Sequence, residues 1–329
     1  MLSSEIKKKL QASKNLLAFS AGVDSSALFF LLQEANISFD IAIVDYGVRK
    51  ESQDEIAYAK ELASKFNKKI FLAKAPEFKS NFEKKARDFR YSFFEAVIKN
   101  KGYDTLLSAH QLNDKLEWLL MRLSKGAGVE ELAGMQEIEK RDDYLLIRPL
   151  LDTTKEELQE YLEQKGYKYF IDKSNFDTRF ERNRFRELAN ELLANGKNGF
   201  IKSFNILSQE SKLLQSSYKR LFTQKKFVVI KFEKRELAGS IASKYLKKFG
   251  YLLSGKEREA LKQQNSLVAG RAWAIEIKEN KLFIAPYCKV TLPKEFKETC
   301  RRGGIPPKVR SYLFRENIEL QELFKRLKA

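Results

Sequence analysis

Cysteine is nearly absent. Only Cys288 and Cys300 occur in 329 residues, and no Cys-x-x-Cys spacing exists. That argues against a disulfide scaffold, a zinc ribbon and a cysteine-held iron–sulfur cluster. Two isolated thiols fit a reducing cytoplasm. No apolar run approaches the ~20 residues of a membrane span. Lys7-Lys8-Lys9 ahead of Leu16–Val23 imitates a secretion leader. Polar residues separate the two, however, and Asp24 closes the apolar run, so a cytoplasmic protein is expected. Internal repeats and low-complexity tracts are also missing. A hydrophobic fraction of 43% in 329 residues is enough for about two ordinary domains.

Positive charge is in excess, and unevenly so. The net charge is +18; residues 1–200 hold 33 Lys+Arg against 32 Asp+Glu, and residues 201–329 hold 29 against 12. A near-neutral front and a basic back suggest a polyanionic partner for the back.

The chain is organised around Leu16–Ser26. An apolar run ends in Ser20-Ala21-Gly22-Val23-Asp24-Ser25-Ser26, and an apolar helical pattern follows from Ala27. That is a buried strand, a tight turn and a helix start. Free N–H groups at the helix start, with flanking hydroxyls, make an anion site suited to phosphate. No Lys follows the glycine, so this is not the Lys-Ser/Thr nucleotide loop. The second and third glycines of the dinucleotide fingerprint are missing too.

Strands and helices then alternate. Strands are expected at Leu16–Phe19, Ile37–Val44, Lys69–Ala73 and Thr105–Ser108, and helices at Ser4–Ala12, Ala27–Ala35, Gln53–Phe66, Phe82–Lys99 and through Asp114–Ser124. This predicts a doubly wound parallel sheet of Rossmann-like α/β type, with ligands beyond the carboxyl ends of its strands. Arg148-Pro149-Leu150-Leu151 ends the sheet and leads to a helix at Thr154–Lys165, with a capping-box start. Glu187 to about Phe222 reads as a helical connector broken at Asn195-Gly196. A smaller basic α+β region follows, with a strand at Phe227–Phe232, helices at Ile241–Lys248 and Glu257–Gln263, and a hairpin turned at Glu279-Asn280. The domain boundaries expected are 1–187, 188–222 and 223–329.

Three further constellations carry chemistry. His110, the single histidine, with Asp114 and Glu117 shares one face if the segment is helical from His110. Two carboxylates there can hold Mg²⁺, bind an ammonium group, or take a proton from an amine. Arg87 and Arg90 share a helix face suited to phosphate. Asp172–Arg186 interleaves Phe176 and Phe180 with Arg179, Arg182, Arg184 and Arg186, which suits single-stranded RNA. Gly126-Ala127-Gly128 and Gly134-Met135 read as a loop with room for a base.

Taken together, residues 16–186 resemble the catalytic domain of the tRNA(Ile)-lysidine synthetases, a family of N-type ATP pyrophosphatases (PP-loop enzymes). The matching blocks are Ser20–Ser25, Val44-Asp45 with Gly47-Val48-Arg49, Asn81–Tyr91, Ala109–Glu117, Arg122–Met135, Arg148-Pro149-Leu150 and Asp172–Arg186. The basic back half is similar in layout to the family's tRNA-binding region, with Ile305-Pro306-Pro307 and Arg310 in common. Four positions depart from the family pattern. Ala21 stands for a glycine, Tyr46 for a histidine, and Lys115 and Trp118 for the Gln and Thr of Asp-Gln-x-Glu-Thr.

The resemblance implies a ligase that adenylates the wobble cytidine of tRNA(Ile) with anticodon CAU and then joins L-lysine to C2. It implies ATP and Mg²⁺, ATP contacts from Ser20, Ala21, Gly22, Val23, Asp24, Ser25, Val44, Asp45 and Tyr46, and metal or phosphate positioning by Asp24. Asp114 and Glu117 would hold the lysine, with His110 orienting them. Arg87, Arg90, Arg182, Arg184 and Arg186 would meet tRNA or phosphate. A second copy of the chain is a further candidate partner, and no membrane is. The rival readings are a tRNA-thiolating PP-loop enzyme, disfavoured because both cysteines lie past residue 285, and a non-catalytic RNA-binding protein.

Overall fold

Apolar stretches that alternate with amphipathic helices become the parallel strands of one sheet. The computed structural model describes residues 1–47, 51–78, 80–171 and 181–328, without the side chains of residues 51 and 181–183. The elements in order are α1 (Ser4–Gln11), β1 (Asn15–Ala18), α2 (Val23–Glu34), β2 (Phe39–Asp45), α3 (Glu51–Lys65), β3 (Ile70–Lys74), α4 (Phe82–Lys101), β4 (Thr105–Leu107) and α5 (Leu112–Leu123). Then come the one-turn α6 (Val129–Leu132), β5 (Ile138–Lys140), β6 (Leu145–Ile147), α7 (Lys155–Lys165) and α8 (Glu181–Ser216). The sheet order is β3-β2-β1-β4-β6-β5, all parallel except the edge strand β5.

β1 lies at the centre of this sheet, and its alternation builds two layers. Leu16 packs with Phe94, Val97 and Ile98 of α4. Leu17 packs with Phe29 of α2, Leu62 of α3 and Leu162 of α7. Helices therefore cover both faces, so the strands are apolar on both sides. Asn15 is the polar exception at the strand start. Its Nδ2 donates to the carbonyls of Leu10 and Ser38 at 2.8 Å, and its Oδ1 accepts from Thr105 Oγ1 at 2.6 Å, which ties β1 to β4.

The chain forms two compact units, Met1–Ala127 with Glu131–Ile206, and Gly128–Glu130 with Leu207–Ala329. The second unit carries β7 (Tyr218–Gln224), β8 (Phe227–Phe232), α9 (Ala238–Lys248), α10 (Gly255–Gln263), β9 (Ser266–Ala269), β10 (Trp273–Lys278) and β11 (Lys281–Pro286). It ends in α11 (Lys294–Arg302), α12 (Pro307–Arg315) and α13 (Leu320–Lys328). Its antiparallel sheet runs β7-β8-β11-β10-β9. α9 and α10 pack on one face and α11–α13 on the other. Glu279 and Asn280 both have positive φ, which suits the tight β10–β11 turn.

Several expectations need correction. Two strands ahead of Arg148 are additional to the four expected: β6 extends the sheet and β5 closes the edge. α8 is continuous through Asn195-Gly196, with the Phe200 ring packed over Gly196 on the same helix face. The end of the expected helix, Tyr218 to Phe222, belongs instead to strand β7. Ile305-Pro306-Pro307 has a structural task. Pro307 starts α12, Arg310 donates to the Ile305 carbonyl, and buried Glu276 accepts the N–H groups of Lys308 and Val309 at 2.7 and 3.1 Å.

Candidate active site

Three loops at the carboxyl edge of the sheet, after β1, β2 and β4, carry most of the residues singled out in the sequence. β1 sits where the strand order reverses, between β2 and β4, and such a switch point opens a crevice for ligands. The turn after β1 is held from both sides. Phe19 N–H continues the ladder to the Ala42 carbonyl at 2.9 Å, and the Ala21 carbonyl accepts the Phe170 N–H at 2.9 Å. Ala21 has φ 58° and is fully buried. A non-glycine residue in this region is strained by about 1–2 kcal/mol. The strain coincides with the one loop position where the family's glycine is replaced.

Gly22 caps α2 with its backbone alone, so the helix start keeps N–H groups for a ligand. Ser25 Oγ accepts the Ser20 N–H at 3.2 Å and lies 3.2 Å from Ser20 Oγ, which turns both hydroxyls into one cluster. Val23 is buried, and Asp24 follows it in the first turn. Asp24 Oδ1 is buried without a hydrogen-bond partner. Burial pushes the Asp24 carboxyl up to about 7, and the Asp114 charge pushes the same way; Lys155 and Arg186 oppose it. The two acids therefore lie within electrostatic reach of each other beside the serine turn.

The loop after β4 is not the helix face expected. α5 starts at Leu112, with Gln111 as its cap, so His110 precedes the helix. Asp114 completes a capping box by accepting the Gln111 N–H at 3.2 Å. His110 Nδ1 pairs with Ser108 Oγ at 2.6 Å. Burial lowers the imidazole to about 4; Asp114 opposes this, and Arg148, Arg87 and Arg90 add to it. The ring is therefore neutral at pH 7. Glu117 is buried on α5, with its Oε2 3.4 Å from Arg186 Nε of α8. Arg186 thus meets a carboxylate in this structure.

After β2, Asp45 folds its own loop. Its Oδ1 accepts the Gly47 N–H at 2.8 Å and its carbonyl the Ala75 N–H at 2.7 Å. Val44 is the partly buried residue before it. Tyr46 donates to the Ala86 carbonyl at 3.3 Å and receives a hydrogen bond from Arg90; burial raises its hydroxyl above the usual range. Arg87 lies over the Tyr91 ring at 5.3 Å. Arg184 is exposed. Val48, Arg49 and residues 172–180 lie outside the described residues, as does the side chain of Arg182.

Sequence reasoning missed the groups that tie these loops together. Asn113 is buried. It donates to Asn190 Oδ1 at 2.8 Å and accepts the Lys155 N–H at 3.0 Å, which joins the starts of α5 and α7 to α8. Arg148, quoted only as part of a block, is buried and donates to the Gln136 carbonyl and to Glu139. Lys155 gave no signal beyond its place after a cap. Trp118 donates to the Glu131 carbonyl at 3.2 Å and packs against Gly134, while the space beside Gly126 and Gly128 is open.

The serine turn, the unpartnered acid and the crevice define an ATP-handling α/β enzyme, and the sequence profile of the PP-loop domain matches residues 2–192. The chain belongs to the PP-loop family and, within it, to the tRNA(Ile)-lysidine synthase family. It is 42% identical over 325 residues to the tRNA(Ile)-lysidine synthase of Campylobacter jejuni subsp. jejuni serotype O:2, covering 98% of this chain and 99% of that one. It is 44% identical over 313 residues to that of Wolinella succinogenes, covering 95% and 96%. Among solved structures, the U34-tRNA thiolase NcsA from Methanococcus maripaludis matches with TM-score 0.52 and 17% identity. That match covers 62% of this chain and 76% of the thiolase, and it shows the shared fold.

Proposed function

We infer that the chain is a tRNA(Ile)-lysidine synthase: an AMP-forming ligase that joins the ε-amine of L-lysine to C2 of the wobble cytidine of tRNA(Ile) with anticodon CAU. One observation carries this reading on the structural side. The serine turn, Asp24 at the start of α2, and Asp114 and Glu117 on α5 follow the adjacent strands β1 and β4 at the switch point of one sheet.

The chemistry needs both. The C2 oxygen of cytosine is a poor leaving group. It attacks the α-phosphorus of ATP, an O–P bond forms, the bond to the β-phosphate breaks and diphosphate departs. The uncharged ε-amine then adds at C2, the C2–O bond breaks, AMP leaves with the oxygen and the nitrogen gives up a proton. The start of α2 with Ser20 and Ser25 binds the departing diphosphate. Val44, Asp45 and Tyr46 border the adenine, and Arg87 and Arg90 attract phosphate. Asp114 and Glu117 hold the lysine ammonium, and one of them takes its proton. Neutral His110, held by Ser108, lies within electrostatic reach of Asp114 and orients the acids.

The residues present fit Mg²⁺. Among the described residues no group of three or more His, Cys, Asp or Glu could hold a metal by itself. Mg²⁺ commonly needs only one or two carboxylates plus substrate phosphates, and the orphaned Asp24 Oδ1 offers one. Bound there with ATP, the ion would offset the charge of the diphosphate.

The second unit supplies tRNA affinity. A cavity of about 540 Å³ there is lined by Lys278, Lys281, Arg301, Arg302 and Lys328 against a single acid, Glu279. No helix among the described residues is long and apolar enough to cross a membrane, and a cytoplasmic location suits a tRNA substrate.

The test is direct. Incubated with ATP, Mg²⁺ and labelled lysine, the chain should put label into tRNA(Ile) with one AMP released per lysine. A tRNA-thiolating activity, or RNA binding without diphosphate release, would refute the reading.

A further inference from the structure

We propose that Tyr46 is a positioning residue for the ligase reaction: its hydroxyl fixes the Arg90 guanidinium at the crevice. This rests on the ligase reading above.

Tyr46 lies along one face of α4. Its ring meets that of Phe82 edge-on, with centroids 6.2 Å apart. Its hydroxyl donates to the Ala86 carbonyl at 3.3 Å and accepts a hydrogen bond from Arg90. Phe82, Ala86 and Arg90 follow one another at intervals of four on α4, so they share that face. The phenol has one proton, which goes to the carbonyl, and its remaining lone pair is left for the guanidinium. Burial raises the hydroxyl above its usual range, so the proton stays in place at neutral pH. Both ends of this tether are anchored. Ala86 is buried, and Asp45 braces the loop before and after Tyr46 by accepting the Ala75 and Gly47 N–H groups.

The other arginine of α4 offers a contrast. Arg87 is exposed and lies over the Tyr91 ring, whereas Arg90 is half-buried. Both act electrostatically on His110, in the loop after β4. Arg90 is in addition bonded to the loop after β2. β2 and β4 flank β1, so a cation that reaches both loops stands beside the serine turn that follows β1. A guanidinium has five N–H donors, and one directed at Tyr46 leaves the others for phosphate oxygens. A donor already fixed needs no reorganisation when charge builds on the oxygens of the α-phosphorus, which is where such a group accelerates a reaction. Tyr46 stands where the family pattern has histidine, so the phenol tether is this chain's own. The ring remains free to border the adenine, because only the hydroxyl is turned to α4.

The experiment uses the full chain with ATP, Mg²⁺, lysine and tRNA(Ile). Tyr46→Phe keeps the ring and removes the acceptor. Its rate of diphosphate release at saturating ATP should fall about tenfold, the scale of one hydrogen bond to a charged group. The KM for ATP and the affinity for tRNA should stay within about twofold of wild type. Arg90→Ala should lose more, and Tyr46→Phe added to it should cost nothing further, because the phenol acts through the guanidinium. The split between rate and KM in Tyr46→Phe decides the matter even if Arg90→Ala shows no measurable rate. A full rate in Tyr46→Phe overturns the proposal, and so does a loss that appears only in ATP affinity or only in the melting temperature. A further tenfold loss on the Arg90→Ala background overturns it as well. Absence of lysine transfer by the wild-type chain would instead strike the parent reading.

Discussion

Asp24 and Asp114 stand in the first turns of different helices, α2 after β1 and α5 after β4, and the charge of Asp114 raises the proton affinity of Asp24. Function needs two acids close to an anion-binding turn; stability does not. The folded carboxyl of Asp24 titrates at about 7, against 3.8 in its ordinary state. Its ionisation therefore costs stability above about pH 7, and the cost fades as pH falls toward 3.8. The full difference corresponds to no more than about 4 kcal/mol. Asp24→Asn should raise the melting temperature at pH 8, lose that advantage toward pH 4, and abolish diphosphate release. Melting curves at the two pH values check the sign.

Ala21 tests the turn. Its φ of 58° favours glycine, while its buried methyl group and a stiffer unfolded chain favour alanine. Ala21→Gly should change stability by less than about 1 kcal/mol, because these effects offset. Ala21→Val should destabilise by more than about 2 kcal/mol, since a β-branched side chain there meets both strain and packing. Denaturant unfolding separates the two, and the affinity for ATP should fall with Val and persist with Gly.

Asp114→Asn should abolish lysine transfer and leave tRNA affinity within about twofold of wild type, since asparagine keeps the capping oxygen for Gln111. Filter binding beside the transfer assay checks the split. Equal loss of both would mean that Asp114 serves the fold and not the amine.

Glu276 makes a prediction for the second unit alone. Glu276→Ala leaves the buried N–H of Val309 and the partly buried N–H of Lys308 without their acceptor, and should destabilise by about 1–3 kcal/mol. Glu276→Gln keeps one acceptor and should cost less. Calorimetry on both variants gives the order.

Much of the architecture could be read from residue patterns, because the parallel strands are apolar on both faces and alternate with periodic helices. What was missed had weak local signals. β5 and β6 are three residues each, too short for any period to appear, and the edge strand β7 reads Tyr-Lys-Arg-Leu-Phe-Thr-Gln, mostly polar. Helical spacing carries His110 onto the face of Asp114 and Glu117, but Gln111 caps the helix after it, and glutamine is an uncommon cap. The serine turn was legible because its chemistry is contiguous. The Glu117–Arg186 pair and the Asn113–Asn190 contact join distant segments, which no local spacing reveals.

A structure with a non-hydrolysable ATP analogue and lysine bound tests the central claim most directly. The β- and γ-phosphates should lie against Ser20–Ser25 at the start of α2, with the lysine amine between Asp114 and Glu117. Phosphates bound away from the Phe19–Ser26 turn, or a lysine far from both acids, would contradict it.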